Sequence, residues 1–184
     1  MPNRVYCLLD TETTGISGKR DEIIDIAILK IQNGQIIDQY ESLVQPRAQI
    51  SNFIENYTGI TNEMVVGAPK FPAIADEVLD FLEEGVLVAH NVGFDFSFLR
   101  YEFDRVNIDF QTPRLCTVQL SRRLHPEYPK HGLDAIIERY DIDCSARHRA
   151  MGDTEVLWEF WQIMNNKFEQ DEFYRMVSGL IKPK

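Results

Sequence analysis

The sequence predicts an α/β fold in which a mixed β-sheet is flanked by α-helices within a single domain. Strand-sized apolar runs crowd the first part of the chain, and helix-period and strand-sized segments alternate after residue 73. No linker, repeat or low-complexity tract divides it. At 184 residues the chain has the size of one domain, 1–184, with a core over about residues 4–170 and a short C-terminal extension.

Residues 4–10 read as a strand, followed by a turn through Gly15 and Gly18. Segments 22–31 and 35–44 read as two strands joined at Asn33-Gly34, a strong hairpin signal. Residues 46–72 hold three prolines (Pro46, Pro69, Pro72) and two glycines, so this stretch is expected to be mostly irregular. Residues 73–84 carry Ile74, Val78, Phe81 and Leu82 at helical spacing. A buried strand at 86–90, a helix at 94–106 and a short strand at 114–117 follow. Helices are expected at 118–124, 133–140 and 150–168, with one more short helix in the last 15 or so residues.

Hydrophobic content of 44% with 11% aromatics belongs to a folded rather than a disordered chain. Val5-Tyr6-Cys7-Leu8-Leu9 and Gly85-Val86-Leu87-Val88-Ala89, the longest apolar runs, fall well short of the roughly 18 residues of a membrane span. The N-terminus has no signal-peptide pattern. Three cysteines without metal-type spacing argue against a disulfide framework or a zinc site, and Cys7 reads as a core residue. A reducing cytoplasm is the expected setting, with no membrane partner.

The net charge of −10 argues at first against a nucleic-acid partner. Bound divalent ions would offset clustered carboxylates, however. Residues 114–149 also hold seven Arg/Lys (Arg114, Arg122, Arg123, Lys130, Arg139, Arg147, Arg149) against five Asp/Glu. That stretch suits a phosphate backbone or, equally, a solvated mixed surface. The overall charge predicts weak, salt-sensitive binding.

Asp10 and Glu12 end an apolar strand two residues apart, so both side chains share one face, and like charges so close need a cation between them. Taken alone, the pair fits a capped, solvated turn equally well. Asp153 shares a helical stripe with Leu157, Phe160 and Met164, and no Lys or Arg lies one turn away on it. Asp95 shares a face with Phe98, Leu99 and Val106. A buried salt bridge would explain either residue singly but explains all four carboxylates poorly. Oxygen-only ligands favour Mg²⁺ or Mn²⁺ over zinc. Two such ions about 3.5–4 Å apart stabilise both the attacking and the leaving oxygen of a phosphodiester. His148, five residues before Asp153 and off its helical face, is expected on the preceding loop, where it suits general-base activation of water.

Asp10-Thr11-Glu12-Thr13-Thr14-Gly15, His90-Asn91-Val92-Gly93-Phe94-Asp95 and His148-Arg149-Ala150-Met151-Gly152-Asp153 together resemble the three exonuclease motifs of the DEDDh 3′–5′ exonuclease family. The chain is most similar to the DnaQ-like branch, which includes the epsilon subunit of bacterial DNA polymerase III and exonuclease X. Thr58-Gly59-Ile60-Thr61 and Cys116-Thr117 with Leu120 and Arg122 resemble segments found there. The resemblance implies a ribonuclease-H-like fold and stepwise release of nucleoside 5′-monophosphates from a 3′ end. It implies that Asp10, Glu12 and Asp153 hold one ion, that Asp10 with Asp95 serves the second, and that His148 is the base. It places the backbone of Thr11 near the terminal 3′-OH, Thr58 and Ile60 beside the last bases, and Asn91 and Phe94 along the site. The chain ends at Lys184 without the further segment that tethers the epsilon subunit, so a free-standing or loosely recruited exonuclease is expected. A polymerase or other replication or repair partner is compatible with this but not implied.

The substrate expected is nucleic acid with a free 3′ end, DNA ahead of RNA. Oligoribonucleases typically have Glu-Met-Thr-Gly where this chain has Glu12-Thr13-Thr14-Gly15. A haloacid-dehalogenase-type phosphatase also ends its first strand in paired acids, but Glu12 and the His148 motif fit it poorly. A non-catalytic module gripping 3′ ends would not need the complete ligand set.

Overall fold

The computed structural model describes residues 4–184. Its five-stranded sheet has the order β3-β2-β1-β4-β5. β1 (Tyr6–Thr13), β2 (Ile23–Gln32) and β3 (Gln35–Leu43) form an antiparallel meander. β4 (Val86–Ala89) and β5 (Arg114–Cys116) add to it in parallel with β1. The β2–β3 hairpin turns at Asn33 and Gly34, both at positive φ (53° and 75°), as a tight two-residue turn requires.

Alternation along β1 divides the interior in two. Tyr6 and Leu8 face the long helix α7 (Ala150–Lys167), packing with Val156, Leu157, Phe160 and Trp161. Cys7 and Leu9 face α3 (Phe71–Leu82) and α4 (Gly93–Asp104), meeting Val78, Phe98 and Leu99. Helices α5 (Thr117–Leu124), α6 (Leu133–Tyr140) and α8 (Gln170–Ser178) complete the α7 side. The mixed sheet flanked by helices is the predicted fold.

Three local expectations need correction. The first strand does not stop at Asp10 but continues to Thr13, because Asp10, Thr11 and Glu12 stay paired with Ala27, Ile26 and Asp25 of β2. Segment 46–72 is not mostly irregular. It contains α1 (Asn52–Thr58) and α2 (Asn62–Val65), started by the Ser51 and Thr61 hydroxyls, and α1 is stopped at Gly59 with φ 73°. Ile50, Ile60 and Val65 close over Ile24, and that small apolar cluster outweighs the breaker residues. The helix expected at 94–106 ends at Asp104, so Val106 lies past its last turn.

One glycine links this framework to the loop ahead of α7. A Cβ on Gly152 would run into the backbone carbonyl of Ala146. Gly152→Ala is therefore expected to cost about 1–3 kcal/mol in urea unfolding, because the loop must shift. An unchanged unfolding midpoint would show that the loop yields freely.

Candidate active site

A cleft of about 470 Å³ opens at the C-terminal ends of β1 and β4, the edge where open α/β sheets place their ligands. Asp10 and Glu12 follow Leu8 on the α7 face of β1 and meet Asp153 from the first turn of α7. Thr11 points to the other face, where its hydroxyl donates to Asp95 Oδ1 at 2.9 Å and ties down the acid in the first turn of α4. All four carboxylates line the cleft, and His148 lines it with them. Glu12, His148 and Asp153 each place a potential ligand atom within 4.8 Å of the other two.

This convergence has an electrostatic cost. Burial, then repulsion from Asp95, Asp153 and Glu12, pushes the Asp10 carboxyl well above the usual carboxylate range. Burial, then the charges of Asp153 and Asp25, raises Glu12 to about 8. Burial raises Asp95 to about 7 against the opposing Thr11 hydrogen bond. Asp153 is also raised, burial outweighing the attraction of Arg147.

Against expectation a cation does lie one turn before Asp153, Arg149 at the N-cap of α7, but it turns to Asp25, and the cation that reaches Asp153 comes from the loop. Arg147 Nη1 pairs with Asp153 Oδ2, and Arg147 Nε with Asp134 Oδ1 at 2.9 Å. Asp153 Oδ1 is buried with no hydrogen-bond partner. A buried, unsatisfied carboxylate oxygen facing other acids is an atom that a cation would satisfy. The donor set thus fits oxygen-seeking divalent ions.

His148 lies on the loop before α7, in the left-handed region at φ 62°. It is framed by two anchored arginines. Arg147 is held as above, and Arg149 Nε pairs with Asp25 Oδ2 at 2.9 Å. The same Asp25 oxygen accepts the Ala150 N–H at the start of α7, at 3.3 Å. The imidazole packs on Tyr57 of α1, ring centroids 4.3 Å apart. Thr58, Asn91 and Phe94 also line the cleft, whereas Ile60, expected beside the last bases, is not among its lining residues. It is fully buried with Ile24, Ile50 and Val65, because its position just past α1 turns it inward. His90 lines the cleft as well, joined to Thr117 Oγ1 at 2.9 Å and lowered by burial to about 4, so it stays neutral.

Sequence reasoning missed the parts played by Arg147, Asp25 and Tyr57. Asp25 carried a signal: it is the single acid in Ile23-Ile24-Asp25-Ile26-Ala27-Ile28. Tyr57 lies in the 46–72 stretch, which the sequence marks as mostly irregular. Arg147 pairs across a fold-dependent gap that spacing does not reveal.

Residues 7–160 match the RNase T exonuclease family. The chain belongs to that family. The DnaQ-like resemblance read from its motifs is borne out, and the phosphatase alternative is set aside. The chain is 40% identical over 151 residues to the PolC-type DNA polymerase III of Latilactobacillus sakei, covering 82% of this chain and 10% of that protein. A PolC-type DNA polymerase III from Staphylococcus aureus is 36% identical over 156 residues. The chain therefore spans about a tenth of the length of the curated relatives it matches. Among solved structures, exonuclease X in complex with 5′-overhanging duplex DNA superposes with a TM-score of 0.72 at 24% identity, covering 94% of this chain and 99% of that one. The nuclease domain of 3′hExo, a DEDDh family member, superposes with a TM-score of 0.76 at 20% identity, covering 90% and 93%. These likenesses establish the shared fold.

The raised carboxyls set a pH signature. Protons are held more tightly in the folded state, so in EDTA these groups favour folding fully below about pH 4.5, and that contribution is lost as pH rises through about 7 and about 8. Divalent ions bind the deprotonated acids and release those protons. Thermal melts should therefore show Mn²⁺ raising Tm more at about pH 8 than at about pH 5. An equal shift at both values would break the link between carboxyl protonation and metal binding.

Proposed function

We propose that the chain removes nucleotides from the 3′ end of DNA, preferably single-stranded, releasing nucleoside 5′-monophosphates. The observation that carries this reading is the meeting of Asp10, Glu12, Asp95 and Asp153 with His148 in one cleft. Asp10, Glu12 and Asp153 would hold one Mg²⁺ and Asp10 with Asp95 a second, Mn²⁺ serving as substitute. Bound there, such ions supply charge neutralisation at the phosphodiester and lower the cost of forming its attacking nucleophile.

The chain's own groups do the rest. His148 takes the proton of the attacking water as its oxygen bonds to phosphorus. The bond from phosphorus to the 3′-oxygen of the preceding nucleotide breaks, and that oxygen leaves with the electron pair. The backbone of Thr11 positions the terminal 3′-OH, and Thr58, Asn91 and Phe94 hold the last nucleotide. Arg147 screens Asp153 and supports the loop that presents His148. Glu12-Thr13-Thr14-Gly15 in place of the oligoribonuclease pattern supports DNA over RNA. The PolC-type relatives support a replication setting.

With Mg²⁺, 5′-labelled oligonucleotides should shorten stepwise from the 3′ end, DNA faster than RNA, and EDTA should abolish the ladder. His148→Ala should slow it by about 10²- to 10⁴-fold. Equal rates in the mutant would remove His148 from the chemistry. Equally fast degradation of a 3′-phosphate-blocked strand would indicate internal cleavage instead.

A further inference from the structure

The cationic side chains nearest the cleft are mostly engaged. Arg147 and Arg149 pair with Asp134, Asp153 and Asp25, and farther off Arg47 and Arg105 pair with Glu22 and Glu102. A second groove, of about 390 Å³, adjoins the cleft at Asn91, which lines both. It is lined by Arg114, Lys182 and Gln119 together with small and apolar residues. In a chain with 29 Asp and Glu, none of the residues lining this groove is acidic. Among the described residues, neither Arg114 nor Lys182 has a carboxylate within ion-pair distance.

The two cations are held together by the fold. Arg114 in β5 and Lys182 after α8 exchange backbone hydrogen bonds of 3.0 and 2.9 Å, which fixes the C-terminal wall of the groove against the sheet. The Arg114 guanidinium lies over the Phe96 ring, 4.2 Å from its centroid, a cation–π contact that holds the charge at the groove. α4 begins at Gly93 on the same wall, adding the positive end of its dipole.

We propose that this groove binds phosphates of the nucleic-acid strand outside the metal site, so that a strand leaving the cleft over Asn91 is held by Arg114 and Lys182. The proposal rests on the exonuclease reading for its ligand, a phosphodiester backbone. The contact is sequence-independent and gives an acidic protein a local electrostatic hold on a polyanion.

The test is fluorescence anisotropy with a labelled single strand of about ten nucleotides, titrated against salt in EDTA so that no hydrolysis occurs. Arg114→Gln/Lys182→Gln is expected to weaken binding about tenfold. Loss of two phosphate contacts should make the log–log salt slope shallower by about 1.4. Gln119→Lys, which adds a cation to the same wall, should tighten binding and steepen the slope. Unchanged affinity and slope in both variants would overturn the proposal. If the double variant weakened competition by a deoxynucleoside 5′-monophosphate while strand binding stayed unchanged, the groove would belong to released product, which also overturns it. Hydrolysis of the p-nitrophenyl ester of thymidine 5′-monophosphate with Mn²⁺ separates the two readings. A wild-type protein inert on that ester, yet binding strands through Arg114 and Lys182, would sink the nuclease assignment and leave the groove standing.

Discussion

The site depends on like-charge repulsion that the polypeptide only partly relieves. Asp10, Glu12, Asp95 and Asp153 come from three separate elements and converge where burial already disfavours their charged forms. Arg147 is the protein's own counter-charge, yet it pairs with one oxygen of Asp153 and divides itself with Asp134. One guanidinium against four carboxylates leaves the cluster short of positive charge. Protons or divalent cations must make up the difference, and which of them does so depends on pH and metal supply.

Alternation along β1 makes the convergence happen. Its even positions run from the apolar Tyr6 and Leu8 directly into Asp10 and Glu12, facing α7. Its odd positions run from Cys7 and Leu9 into Thr11, facing α4. The side-chain period that builds both cores therefore also delivers two acids to one helix and a hydrogen-bond donor to the acid of the other. Pairing with β2 through Glu12 prevents the strand from fraying where it meets the site, and the opposing residue, Asp25, fixes the start of α7. A one-residue slip of β1 would send Asp10 and Glu12 into the Cys7 and Leu9 core and leave Asp153 facing a threonine.

Whatever follows from local periodicity was legible in the chain. The Asn33-Gly34 hairpin, the apolar strands, the amphipathic stripe of α7 and the anomalous position of Asp153 on it could all be read by spacing. Tertiary partners could not. Arg147 lies six residues before Asp153 and reaches it only because the loop folds back, which no helical spacing encodes. Helices α1 and α2 were hidden because Pro46, Gly59, Gly67, Pro69 and Pro72 dominate the segment, while their caps, Ser51 and Thr61, are ordinary residues. Ile60 looked like a substrate contact by resemblance. The small cluster with Ile24, Ile50 and Val65 takes it into the interior.

Rigid and adjustable parts are divided in a way that suits a charge-controlled site. Asp10 and Glu12 sit on the part of β1 that stays paired with β2 after its pairing with β4 ends at Leu8, and Asp95 and Asp153 sit in the first turns of helices packed against the sheet. Arg147, His148 and Arg149 ride on the loop before α7, and His148 adopts a backbone conformation that non-glycine residues seldom take. Gly152 lets that loop lie directly against α7, and the Arg149–Asp25 pair pins its far end. A change in positive charge among the carboxylates would act first on the Arg147–Asp153 pair, and through Arg147 on its neighbour His148. The acids would stay fixed while the imidazole moved relative to them, so the loop, not the sheet, is the part of the site that answers a change in its charge.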